Sequence, residues 1–127
     1  MNNTELITAL NAVTVTTTSD KFYVGNAKRI SLLFRRANHS AGSSAFAVKA
    51  SLDAIGTTTP IMTAFNLLID NVTNANTLTL TRVNGKTLSA DGDAFLFVDQ
   101  MAKVNWLEIT VTETTDGTHS AWILIEE

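Results

Sequence analysis

The stretch "VTETTDGTHSAWILIEE" (residues 111–127) reads as strand, turn and strand. Val111 to Glu113 run outward, Asp116-Gly117 reverses the chain, and His119 to Ile125 return. Asp-Gly between two alternating runs is a strong hairpin signal, because Gly takes positive φ at no steric cost and Asp tolerates it. The returning run sets the fold class. Ala121, Ile123 and Ile125 point to one face and Trp122 and Leu124 to the other, so both faces are apolar. A strand with one solvated face would alternate apolar with polar. In a two-residue loop Val111 pairs with Trp122 and Ile109 with Leu124; one bulged residue slips the register and brings Ile123 and Ile125 to that face instead. In either register one sheet face carries apolar side chains that a second sheet does not reach.

Outward from this hairpin, runs of Thr and β-branched residues recur, which suits a pleated, half-buried surface. "AVTVTTT" (12–18) and "KFYVG" (21–25) predict two short strands. "AKRISLLFRRA" (27–37) sets Ile30, Leu32 and Phe34 against Arg29, Ser31, Leu33 and Arg35, and "AFAVKASLD" (45–53) sets Phe46, Val48, Ala50 and Leu52 against Ala47, Lys49 and Ser51. "TLTLTRV" (77–83) followed by Asn84-Gly85 and "KTLSA" predicts another hairpin, and "AFLFVDQ" (94–100) and "NWLEITVTE" (105–113) complete about eight strands. Within 61–72, Met62, Phe65, Leu68, Ile69 and Val72 fit helical spacing, so one short helix is expected there. Short strands at regular spacing with Gly, Asn and Asp turns predict an all-β antiparallel sandwich or jelly roll. With 127 residues the chain makes one domain, taken as 11–127, preceded by a flexible N-terminal arm over 1–10.

Composition narrows the function. Charged residues are 17% against about 25% for an ordinary domain, and mean hydropathy is +0.14. Such a surface is poor in charge and suited to being covered by partners. A net charge of −3 without a basic stripe argues against holding nucleic-acid phosphates. No run approaches the ~18 consecutive apolar residues of a membrane span, and the N-terminus lacks a signal-peptide pattern, so neither membrane nor export is expected. The chain has no Cys, which excludes a disulfide scaffold and any thiolate zinc site.

Catalytic signals are weak. His39 and His119 both fall in expected loops or turns, with no nucleophile or orienting carboxylate placed beside them by spacing. "DGD" (91–93) lacks the spaced continuation of a calcium loop, and "VNGKT" (83–87) carries only the tail of a phosphate-binding loop. Both read as turns. No catalytic residue, cofactor or metal is expected. Trp106 and Trp122 suit the core or a subunit interface better than a sugar platform, because few polar residues flank them to orient a glycan. Lys28, Arg29, Arg35 and Arg36 form the basic concentration, read as a solvated edge or a contact to an acidic partner.

"FAVKASLD", "LTLTRVNGKTLSADGDAFLFVD" and "LEITVTETTDGTHSAWILIE" together resemble, in texture and strand order over roughly 22–126, the short all-β structural proteins of tailed bacteriophages. In particular they resemble capsid decoration or head-stabilising proteins. The resemblance implies a small sandwich or jelly roll, a homo-oligomer and often a trimer, seated on the major capsid protein of a virion assembled in the host cytoplasm. It implies no enzyme activity. On this view Trp106, Trp122 and Leu124 are subunit-interface residues, and Leu6, Ile7, Arg35 and Arg36 contact the capsid. A tail, neck or fibre component and a carbohydrate-binding module are the alternatives.

Overall fold

Ile30, Leu32 and Phe34 are buried while Arg29 and Arg35 on the other face are exposed, the period of two that a strand imposes on its side chains. The same alternation builds the whole molecule. The computed structural model describes residues 3–64, 66, 68–70, 81–99 and 103–127. In chain order the strands are β1 Thr4–Val13, β2 Thr17–Thr18, β3 Phe22–Tyr23, β4 Arg29–Ala37, β5 Gly42–Ser51, β6 Leu68–Asp70, β7 Thr81–Val83, β8 Gly85–Leu88, β9 Gly92–Val98, β10 Trp106–Thr115 and β11 Thr118–Glu126. They form two antiparallel sheets packed as a sandwich. Sheet 1 runs β1-β11-β4-β9-β6-β7; sheet 2 runs β2-β10-β5-β8, with β3 also on β10. The all-β sandwich expected from sequence is borne out, with eleven strands among the described residues, four of them only two or three residues long, in place of about eight.

The core lies between the sheets. Sheet 1 contributes Leu10, Ile30, Leu32, Phe34, Leu96, Ala121, Ile123 and Ile125; sheet 2 contributes Phe46, Val48, Ala50, Leu107, Ile109 and Val111. Phe34 and Phe46 stack across the interior with ring centroids 4.6 Å apart. Fully burying each large side chain of this set stabilises the fold by about 1.5–3 kcal/mol, so these residues dominate its energetics.

Asp116-Gly117 does not close a hairpin. β10 belongs to sheet 2 and β11 to sheet 1, so the chain turns a corner between sheets, and neither register considered for Val111 and Trp122 forms. Instead β10 pairs with β5, Val111 opposite Phe46, and β11 lies between β1 and β4, with Trp122 opposite Thr8 and Leu33. The corner is held by side chains: the Asp116 carboxylate accepts from Ser40 N–H and O–H and from Arg36 Nη2. Gly117, at φ +111, leaves room for Arg36, whose Nη1 would lie 2.6 Å from an added Cβ. Asn84-Gly85 is likewise a step between sheets, from β7 to β8, where Asn84 C=O accepts from Val48 N–H at 2.7 Å.

Two further expectations are corrected. Residues 4–10 are not a free arm. They form β1 with 11–13, paired with β11 from Thr4↔Glu126 to Val13↔His119. Irregularities after Thr8 and after Leu10 shift the inward face from Ile7 and Ala9 to Leu10 and Val13, which breaks the alternation a strand would show in sequence. The helix expected over 61–72 does not form among the described residues. Leu68 and Ile69 pair with Val98 and Phe97 in β6, so cross-strand packing overrides a helical spacing already weakened by Asn66. Residues 65, 67 and 71–80, including most of "TLTLTRV", lie outside the described residues.

Candidate protein-contact surface

Sheet 1 turns an apolar face away from the core. Strand register lines its side chains up in rows: Thr8, Trp122, Leu33 and Phe95 in one, Leu6, Leu124, Ser31 and Phe97 in the next. Leu6 is 63% exposed, Phe95 53%, Phe97 50% and Leu124 39%. The outer face of sheet 2 is different, with Lys49, Ala47 and Ala45 opposite Glu108, Thr110 and Thr112. Among the described residues only one of the two outer faces is therefore apolar, and it contains the two residues of the "AWILIE" run that the core leaves out.

Charged pairs bound this face at both ends. At one end Arg35 binds Asp93 in a two-pronged contact, Nε to Oδ1 at 2.8 Å and Nη2 to Oδ2 at 3.0 Å. The guanidinium also lies over the Trp122 ring, 5.1 Å from its centroid. The hydrogen bond from Arg35 holds the Asp93 carboxyl below the usual carboxylate range, and Asp93 in turn raises Arg35. At the other end Arg29 Nη2 donates to Glu126 Oε1 at 3.0 Å. Between the ends Phe95 and Phe97 meet edge to face at 5.2 Å. A groove of about 280 Å³ runs between Leu6, Leu33, Phe95, Trp122 and Leu124.

Of the sequence-derived site residues, Trp122, Leu124, Leu6 and Arg35 come together here, although sequence divided them between two roles. Ile7 faces inward and packs on the core. Arg36 is 1% exposed, because adjacent residues on β4 point to opposite faces. Trp106 sits on sheet 2, half-buried, with its ring edge toward Tyr23 at 5.2 Å and its Nε1–H donated to Asp53 O at 3.1 Å. Phe95, Phe97 and Leu33 were not singled out from sequence. The signal was present in "AFLFV", whose Phe residues alternate with Leu96 and Val98, but assigning the inward set requires the neighbouring strands.

A second apolar surface, also absent from the sequence reading, follows β5. That strand ends at Ser51, and the loop after it exposes Leu52, Ile55 and Ile61. The loop is built, not loose: Asn105 Nδ2 donates to Leu52 O at 3.0 Å and to Asp53 O at 3.2 Å, and Asp53 Oδ2 accepts from Ile61 N–H at 2.8 Å. Trp106 Nε1–H, donated to Asp53 O, adds to these bonds.

At the Asp116 corner a polar cluster replaces the apolar core. Arg36 donates through Nη1 to Ser44 Oγ at 2.9 Å, through Nη2 to Ala41 O at 2.8 Å and through Nε to His39 Nδ1 at 3.0 Å. Ser44 Oγ lies 2.5 Å from His119 Nδ1, while His119 Nε2 is 3.9 Å from Glu113 Oε1 and has no hydrogen-bond partner among the described residues. His119 is fully buried on the inner face of β11, which corrects its assignment to a loop. The residue types of a catalytic triad do meet here, which spacing alone did not show. Ser44 has no exposed surface, however, and its oxygen is already bound by Arg36, so the cluster ties the two sheets together. Among the described residues no group of three or more His, Asp or Glu side chains converges on one point. Asp91 accepts from His39 N–H at 2.8 Å and Asp93 is taken by Arg35, so the "DGD" carboxylates serve the fold.

No family model and no curated protein matches the chain. Among solved structures, the SPBc2 prophage-derived protein YomS aligns over 100% of this chain and 96% of its own, with a TM-score of 0.66 and 14% identity. The chain resembles YomS in fold. At that identity the likeness to YomS speaks for the sandwich and not for any residue of the apolar face. A chain from the infectious bursal disease virus Gx strain aligns over 98% of this chain and 32% of its own at 12% identity, but its TM-score of 0.39 is too low to carry an argument beside that of YomS.

Proposed function

We propose that the chain is a virion structural protein without enzymatic activity, which decorates or reinforces a phage head by associating with copies of itself and seating on the outer capsid. The observation that carries this reading is the apolar outer face of sheet 1. Large exposed apolar patches on a small domain mark protein contacts, and this one is a continuous sheet face with charged pairs at its ends. The exposed loop of Leu52, Ile55 and Ile61 lies apart from it on the chain's other sheet, giving a second surface for the capsid. A component that both oligomerises and binds a shell needs two such surfaces. The prophage origin of YomS is consistent with this role. A sugar platform is less well supported, since Arg35 already lies over Trp122 and Trp106 is committed to Asp53.

The test is to probe virions purified from the source of the gene with antibody against the chain, imaged by electron microscopy. Regular labelling over the head supports decoration. Labelling confined to tail or neck transfers the protein to those parts, and particles that carry none of the chain overturn the proposal.

A further inference from the structure

We infer that the outer face of sheet 1 is the contact between two copies of this chain, related by a two-fold axis that runs along the strands between β11 and β4. The inference rests on the reading of this face as a protein-contact surface and names its occupant.

Self-complementarity carries it. Two sheets packed face to face lie about 10 Å apart with strands nearly aligned. A two-fold along the strands lays β4 of one copy over β11 of the other and β9 over β1. The observed rows then place Trp122 over Leu33 of the second copy, Phe95 over Thr8, Phe97 over Leu6 and Leu124 over Ser31. Each large side chain meets a smaller one, the interdigitation that dense packing requires. Arg29 comes to lie over Glu126 of the second copy, and Glu126 over its Arg29. Arg29 is 76% exposed in its side chain and carries five N–H donors, so it can bind a second carboxylate beside its own.

The alternative two-fold in the plane of the face, across the strands, sets Arg29 over Arg35. Like charge over like disfavours it. An isologous pair also replaces the three-fold assembly implied by the family resemblance, because a single face complementary to itself closes with two copies. Four strands ~4.8 Å apart and four side-chain rows ~6.8 Å apart cover roughly 500 Å². The pair therefore buries about 1,000 Å² in total, at the threshold of a specific interface, so a concentration-dependent dimer is expected.

The test is sedimentation equilibrium of the full chain over a wide concentration range, with Arg29→Glu and Glu126→Arg measured singly and mixed. Each variant alone sets like charges against each other across the axis and is expected to weaken dimerisation about tenfold or more. In the mixture the carboxylate introduced by Arg29→Glu in one copy meets the guanidinium introduced by Glu126→Arg in the other. The unaltered Glu126 of the first copy then meets the unaltered Arg29 of the second, so a heterodimer within about threefold of the wild-type affinity is expected. A purely intramolecular Arg29–Glu126 pair would give no such rescue. Phe97→Ser, which leaves both charges in place, is expected to abolish the dimer, and circular dichroism confirms that each variant folds. A wild-type monomer at every concentration, a trimer, or a mixture no heavier than either variant alone overturns the inference. Virion labelling with a monomeric chain would overturn the pair and leave the virion role standing; a dimer absent from virions would do the reverse.

Discussion

Ser44 Oγ lies 2.5 Å from His119 Nδ1, a hydrogen bond that joins β5 of one sheet to β11 of the other across 75 positions of sequence. The two residues share a buried corner with Arg36, which binds the same serine oxygen. A cation and an imidazole held side by side away from water make this corner sensitive to protonation.

Stability is expected to fall as acid is added, in two stages. Burial, reinforced by Arg36 and opposed by Glu113, holds His119 below its ordinary value of 6.5. The unfolded chain therefore takes up a proton before the folded one does, so stability is fully present above about pH 6.5 and declines as pH falls through the folded value. Asp116, held below its ordinary 3.8 first by the Ser40 hydroxyl and then by Ser40 and Ala41 N–H, contributes a second loss below that point. Besides His119, Arg36, His39, Glu113 and Asp116 are the charged or titratable groups at the corner among the described residues. Thermal unfolding measured between about pH 8 and pH 3 should show both stages, and His119→Gln should flatten only the upper one.

Neighbouring residues of β11 should respond very differently to truncation. Ile123 has no exposed surface, and Ile123→Ala is expected to cost about 2–5 kcal/mol. Leu124 faces outward, and Leu124→Ala is expected to cost less than about 1 kcal/mol in the monomer. Denaturant titration of the two variants decides it. Equal losses would contradict the assignment of inner and outer faces.

Gly117→Ala is expected to destabilise by roughly 2–4 kcal/mol, combining the strain of a positive φ with displacement of the Arg36 guanidinium. Shortening the obstacle should relieve part of this. In an Arg36→Ala background the same change should cost at least ~1 kcal/mol less, as measured by a double-mutant cycle.

Trp106→Phe removes the indole N–H that Asp53 O accepts while keeping an aromatic ring against Tyr23. Global stability should drop by only about 1 kcal/mol, whereas limited proteolysis within residues 54–59 should accelerate several-fold. An unchanged cleavage rate would mean that the Asn105 and Asp53 side-chain hydrogen bonds hold the loop without the indole.

Alternation by itself determined the fold class: Ile30/Leu32/Phe34, Phe46/Val48/Ala50 and Ala121/Ile123/Ile125 were each legible as sharing one face, because side-chain direction in a strand depends only on parity. It also put Trp122 and Leu124 on the face opposite Ile123 and Ile125, but which of those two faces is inward depended on the neighbouring strands. Tertiary structure decided the rest. Asp116-Gly117 looks the same in sequence whether the chain folds back on its neighbour or crosses to the facing sheet, since the outcome depends on whether β5 or β11 offers β10 the better edge and on the room Gly117 leaves for Arg36. Irregularities hid β1 from a period-two search, and the meeting of Ser44, Arg36 and His119 involves residues too far apart in sequence for spacing to reveal it. The apolar face itself has the same origin. Leu6, Leu33, Phe95, Phe97, Trp122 and Leu124 come from four strands, and only the register between those strands aligns them into one surface.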